Sequence, residues 1–213
     1  MAARYTLVLE VADSRAERKE QETHEVRVPS VGALIAGKYR VEGQLGSGGM
    51  GVVLSARNEA LGQRVAIKFL VVGDEQYRVQ AAERLLREAR AAAALRGEHV
   101  VRIYDVGEHE PGTPFIVMEH LEGEDLGKIL GRVGKLAVSD AAALIAQACR
   151  AVAEAHAVGI VHRDLKPSNL FVVRHPDGTA TVKVVDFGIA KSIRRNPIIG
   201  EQTLTNARSK SAS

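Results

Sequence analysis

The 213-residue chain has a single cysteine, Cys149, so it can form no disulfide within itself, and a reducing, cytoplasmic setting is expected. It lacks any run of eighteen apolar residues, so no membrane span is expected in its sequence. It also lacks a recognisable secretory leader: Tyr5 to Val11 is apolar but short, and Glu10 interrupts it. Charge of one sign is scarce as well. A formal net charge of +3 is too small to argue for a nucleic-acid partner. There is no internal repeat. What remains, 46% hydrophobic and 26% charged residues, is the composition of a soluble globular protein with one large domain or two small ones.

Residues 1–37 read as an N-terminal extension. Tyr5 to Val11 suggests a lone strand, Asp13 to Arg27 a charged linker or solvated helix, and Val31 to Ala36 an apolar stretch that packs on the domain beginning near Tyr39. Strands are expected at Tyr39–Leu45, Gly51–Arg57, Arg64–Val72, Val100–Val106 and Pro114–Glu119. A helix is expected at Gln76–Leu95, with Leu85, Leu86, Ala89 and Ala93 at helical spacing. Gly123–Leu130 reads as a short helix. Ser139 fits the N-cap of a long helix running to Val158, with Gly159 as its stop and Cys149 as a small buried residue within it. Leu170–Val173 and Thr181–Val185 read as short strands around the turn at Pro176-Asp177-Gly178. A strand-rich first part thus precedes a helix-rich second part, joined through Met118-Glu119-His120-Leu121.

The chemistry is concentrated in His162-Arg163-Asp164-Leu165-Lys166-Pro167-Ser168-Asn169 and, downstream, Asp186-Phe187-Gly188. The first string offers a carboxylate for a substrate hydroxyl and a carboxamide for a metal. The second offers a further metal-binding carboxylate. Together they are the equipment of magnesium-dependent phosphoryl transfer. Gly46-Ser47-Gly48-Gly49-Met50-Gly51-Val52-Val53 fits G-x-G-x-x-G-x-V, in which glycine lets the backbone approach phosphates and present N–H donors. A plain glycine-rich hairpin would read the same way. The dinucleotide fingerprint is disfavoured because it joins strand to helix, whereas this loop joins strand to strand. Val65-Ala66-Ile67-Lys68 ends an apolar strand in a lysine, which either snorkels at the edge or meets a phosphate. Glu88 is its candidate ion-pair partner, with Glu83 the rival on the same helix.

These motifs, in this order, resemble the eukaryotic-like serine/threonine protein kinases of bacteria, from about Tyr39 to Lys191. The resemblance implies an α+β, two-lobed fold: an antiparallel-sheet N-lobe with one helix over 38–120, a partial helical C-lobe over 121–191, and an activation segment over 192–213. It implies ATP and Mg2+ as cofactors and serine or threonine of a protein as acceptor. Asp164, Lys166 and Asn169 would be catalytic, and Asn169 with Asp186 would hold the metal. Gly46, Ser47, Gly48, Gly49, Gly51, Val53, Ala66, Lys68 and Glu88 would surround the nucleotide. Met118 would guard the back of the adenine pocket, and Glu119 and Leu121 would bond adenine. Arg163 would pair with a phosphorylated activation loop. His162 and Phe187 would pack, and His99 and His156 would be structural.

After Lys191 the resemblance fades. Thr203 and Thr205 resemble regulatory phosphorylation sites, but the polar run to Ser213 resembles nothing in the family. Lys191, Arg194, Arg195, Arg208 and Lys210 face one acid there, Glu201, and the segment is expected to be disordered. The expectation is a kinase domain truncated soon after Asp186-Phe187-Gly188, with the long helix left apolar on a second side. A nucleotide-binding scaffold without turnover and a non-functional remnant are the rival readings.

Overall fold

The computed structural model describes residues 28–48, 51–70, 75–109 and 113–187. The expected strand at Tyr5–Val11 and the segment 192–213 lie outside them. Among the described residues, nine strands and three helices succeed one another: β1 (Leu34–Ile35), β2 (Tyr39–Gly48), β3 (Gly51–Asn58), β4 (Arg64–Leu70), α1 (Glu75–Ala92), β5 (Ile103–His109), β6 (Thr113–Glu119), β7 (Gly123–Asp125), α2 (Leu126–Val133), α3 (Val138–Ala157), β8 (Leu170–Arg174) and β9 (Ala180–Val184). The first six strands form one antiparallel sheet in the order β1-β2-β3-β4-β6-β5, and the last three form a second, β7-β8-β9.

Period-two alternation divides the large sheet into two faces. Val52, Leu54 and Ala56 of β3, Val65, Ile67 and Phe69 of β4, and Phe115 and Val117 of β6 share a core with Ile35, Tyr39 and Val41. Of the apolar stretch before Tyr39 only Ile35 is fully buried on the sheet, in the short strand paired with β2, while Val31 and Leu34 stay exposed. The sheet curls far enough for the Tyr39 hydroxyl on β2 to donate to Asp105 on β5, at 3.1 Å. Burial, aided by the Asp105 carboxylate, pushes that phenol up to about 12. The opposite face carries Val53, Ala66, Lys68, Ile116 and Met118. The registers Val53↔Lys68, Lys68↔Ile116 and Ala66↔Met118 place them side by side.

A second core joins the two sheets. It takes Leu86, Ala89 and Ala92 from α1, Ile116 from β6, Leu126 and Ile129 from α2, Ala148, Ala151 and Ala155 from α3, and Leu170, Val172, Val182 and Val184 from β8 and β9. The alanines let α3 lie close to β9. There Gln147 completes the edge strand: its amide nitrogen donates to Ala180 O at 3.1 Å, and its amide oxygen accepts the Val182 N–H at 2.8 Å. The segment after α1 is anchored on the same helix. The Glu154 carboxylate accepts the N–H groups of Arg96 and Gly97 at 2.7 and 2.9 Å. His99 meets Val182 O at 3.1 Å, and Val101 N–H donates to Val184 O at 3.1 Å.

Four local expectations need correction. Gly123–Asp125 is a strand, because it pairs with Val173–Phe171 of β8, and the helix starts only at Leu126. Its cap is Asp125, whose carboxylate accepts the Lys128 N–H at 2.9 Å. Ser139 is not the cap of α3; that position is Ala137, without a side-chain bond, and the Ser139 hydroxyl turns to Asp140. Ordered strand β5 begins at Ile103 rather than Val100, which instead makes a parallel bridge to Val184. Cys149 is exposed, because the buried stripe of α3 runs through Ala148, Ala151 and Ala155. Gly159 does terminate α3, at φ +76: its N–H donates to His156 O and that of Ile160 to Ala155 O.

Candidate active site

The glycine-rich turn is set by register. Gly46 faces Val53, Ser47 faces Val52, and Gly48 faces Gly51, whose φ is +132°. Gly49 and Met50 lie outside the described residues. A side chain added at Gly46 would meet nothing within 4 Å, so the strand approaching the turn faces open space. Directly beneath, Val53 is half-buried and Ala66 is buried.

Lys68 is 7% exposed, a degree of burial that an ammonium tolerates only with a partner. Its Nζ lies 2.7 Å from Asp186 Oδ1. This ion pair closes the gap between the large sheet and the segment after β9. Glu88 is half-buried on α1, one residue before fully buried Ala89, whereas the rival Glu83 is exposed. Asp186 and Arg163 both adopt left-handed backbone, at φ +62 and +60, which side-chain-bearing residues seldom do away from functional sites.

The loop over residues 162–169 is built around Asp164 and Asn169. The Asn169 amide nitrogen donates to Asp164 O at 2.8 Å and lies 3.4 Å from its carboxylate. Lys166 Nζ is 2.9 Å from the same carboxylate. Asn169 is 7% exposed and ends a short 3-10 turn, Pro167–Asn169, whose backbone accepts the Val185 N–H at 3.0 Å. His162 is buried, bonds Val185 O through Nε2 at 2.9 Å, and lies 5.0 Å from the Phe187 ring. It therefore packs and ties the loop to the end of β9. His99 is buried and bonded to backbone, and His156 is exposed.

Met118, half-buried beside Ala66, lines a cavity of about 20 Å³ with Ala92, Ile103, Ile116 and Phe187, room for a water and no ligand. Glu119 is fixed from behind: its N–H donates to Arg102 O at 2.9 Å, and its carboxylate meets Lys183 Nζ at 3.0 Å. Leu121 is half-buried in the connection to β7. Thr203 and Thr205 lie outside the described residues.

Among the described residues, Lys68 and Asp186 meet between the large sheet and the segment after β9, Asp164, Lys166 and Asn169 cluster in one loop bonded to that segment through Val185, and Val53, Ala66 and Met118 share the sheet face of Lys68. Sequence reasoning missed Lys183, Glu154 and Gln147. Each acts on a segment far away in sequence, and none carries a local signature.

A lysine from the large sheet thus meets an aspartate from the segment after β9, and a loop with paired carboxylate and carboxamide is bonded to that same segment through Val185. The protein kinase domain family matches residues 39–207. The serine/threonine-protein kinase pkn3 of Myxococcus xanthus is 41% identical over 164 residues, 76% of this chain and 29% of that protein. PknA of Mycobacterium tuberculosis is 38% identical over 177 residues, 80% of this chain and 39% of that one. The crystal structure of the Mycobacterium tuberculosis PknI kinase domain superposes with a TM-score of 0.66 at 29% identity, covering 76% of this chain and 64% of that one. The chain belongs to the protein kinase family, with serine/threonine kinases of bacteria among its relatives. It spans about a third of the length of these two curated relatives. No helix among the described residues is long and apolar enough to cross a membrane.

Proposed function

We propose that this domain transfers the terminal phosphoryl group of ATP to serine or threonine hydroxyls of a protein substrate, in a cleft between lobes spanning 38–120 and 121–191. The observation that carries this reading is the 2.7 Å contact of Lys68 with Asp186 across the seam, next to the Asp164–Asn169 pair. Lys68 holds the α- and β-phosphates, and Glu88 steadies it from α1. Residues 46–51 cover the phosphates with backbone N–H groups. Ala66 and Val53 form the roof over the adenine, Met118 closes its back, and Glu119 carbonyl and Leu121 N–H read its edge.

The donor set suits Mg2+. Asn169 and Asp186 offer hard oxygen ligands, and the Asn169 nitrogen is committed to Asp164 O, which leaves the amide oxygen for a cation. An ion here would be held by few protein groups and completed by phosphates and water. When bound, Mg2+ neutralises charge on the transferring phosphate. Asp164 orients the acceptor hydroxyl and takes its proton, and Lys166 balances charge beside it.

The test is calorimetric titration of the chain with ATP and Mg2+. Magnesium-dependent binding that disappears in Lys68→Met supports the reading. Equal binding by both proteins sinks it.

A further inference from the structure

Lys183 lies on β9 between Val182 and Val184, both completely buried. Alternation turns it to the other face of the strand, where its side chain is still only 13% exposed. Its ammonium bonds Glu119 Oε2 at 3.0 Å, 64 residues away in sequence. Glu119 is the last residue of β6 and the last to pair with β4, opposite Val65. Beyond it, His120, Leu121 and Glu122 run to β7 outside any strand. The position of this hinge therefore depends on what holds Glu119. Besides its pairing with β4, three contacts do so: the Lys183 ion pair, the Glu119 N–H to Arg102 O at 2.9 Å, and the Arg102 N–H to Glu119 Oε2 at 3.4 Å. The linker before β5 is itself fastened to β9 through Val101 N–H and Val184 O. The end of β6, this linker and β9 form a closed ring of contacts.

A surface ion pair would matter little here. With exposures of 13% and 26%, this pair is largely withdrawn from water, and removing one partner strands the other. We propose that Lys183 is a positioning residue for the nucleotide: its bond to Glu119 sets the hinge at the place where the adenine edge is read. The proposal rests on the nucleotide-binding function of the cleft and adds to it a residue that never touches the ligand. It also predicts which end of the ligand suffers. Lys183 is three residues from Asp186, yet the intervening backbone has anchors of its own, Val184 N–H to His99 O and Val185 N–H to Asn169 O. Loss of Lys183 thus disturbs the adenine end and spares the phosphate end.

The experiment measures affinities of the full chain for magnesium-ATP and magnesium-tripolyphosphate, with thermal melts to monitor folding. Lys183→Met weakens ATP about tenfold, as expected for a hinge displaced by a fraction of an ångström, and leaves tripolyphosphate unchanged. Lys183→Arg restores ATP binding. Glu119→Gln, which keeps shape and loses charge, weakens ATP alone and adds nothing in the Lys183→Met background. If Lys183→Met fails to fold, Glu119→Gln carries the test. Unchanged ATP affinity in both variants, or equal losses for the two ligands, overturns the assignment while Lys68-dependent binding leaves the nucleotide reading standing. Absence of ATP binding by the wild type removes the nucleotide reading and this assignment with it.

Discussion

The two hydrophobic cores of this chain are built on different plans. The sheet core draws only on β1 to β4 and β6, and its strands β2, β3 and β4 pair with their sequence neighbours. The joining core needs α1, the linker after it, Ile103 of β5, Ile116 of β6, α2, α3, β8, β9 and Phe187 at once. The first closes mostly between sequence neighbours, with β6 alone arriving from beyond α1 and β5, whereas the second closes only when many distant segments meet, which costs more chain entropy before contacts repay it. The candidate site residues follow this division. Lys68 projects from the face of the large sheet opposite the sheet core. Asp164, Asn169 and Asp186 hang from the assembled part. The site exists where the two plans meet, and polar tethers hold the meeting in register: Glu154 to Arg96 and Gly97, His99 to Val182, and Lys183 to Glu119.

A cavity inside the sheet core should produce the largest loss of stability. Phe115 is 2% exposed and lies 5.8 Å from the Phe69 ring. Phe115→Ala should cost about 3–5 kcal/mol in urea unfolding. A loss below about 1 kcal/mol would mean that the sheet core is not closed as described.

Weakening a tether comes next. A methyl group at residue 97 would sit 1.9 Å from Glu154 Oε2, so the carboxylate must turn and its bonds to the two N–H groups are weakened. Gly97→Ala should therefore cost about 1.5–3 kcal/mol, the value of hydrogen bonds to a charged group. Glu154→Ala should match it, and the double variant should add little.

The curl of the sheet has a pH signature. The ordinary phenol value is 10.0 and that of folded Tyr39 is about 12. Below pH 10 the phenol is neutral in folded and unfolded chains alike, and its contribution is fully present. Between pH 10 and 12 the unfolded phenol ionises first, so stability falls as pH rises through that window. Tyr39→Phe should flatten this part of an alkaline unfolding profile. An unchanged slope would show that Asp105 does not hold the phenol.

The smallest stability effect belongs to the outer side of α3. Val138 is 87% exposed and Ile145 49%, on a helix whose other side is in the joining core. Ile145→Ser should change stability by no more than about 0.5 kcal/mol. It should lower hydrophobic-dye binding and self-association in light scattering, because it removes apolar surface that no described residue covers.

Much of the site was legible in sequence because its chemistry is local. Asp164 and Asn169 are five residues apart and act in one loop, and Val65 to Lys68 reads as a strand that ends in an ammonium. What escaped depends on partners elsewhere. Gly123–Asp125 becomes a strand only because β8 lies beside it, and a side chain at Gly123 would come within 2.1 Å of Val172 O. Cys149 faces outward because three alanines already fill the contact of α3 with β9. Lys183 sits in a run of valines and looks like an ordinary outward strand residue until Glu119 is brought to it.

The central claim is that one ligand site is shared by two separately built parts. Amide hydrogen exchange of the chain with and without ATP and Mg2+ tests it most directly. The account predicts added protection on both sides of the seam: in β3 and β4 around Val53 and Lys68, and around Asn169 and Val185. Protection confined to one side, or none at either, would contradict it.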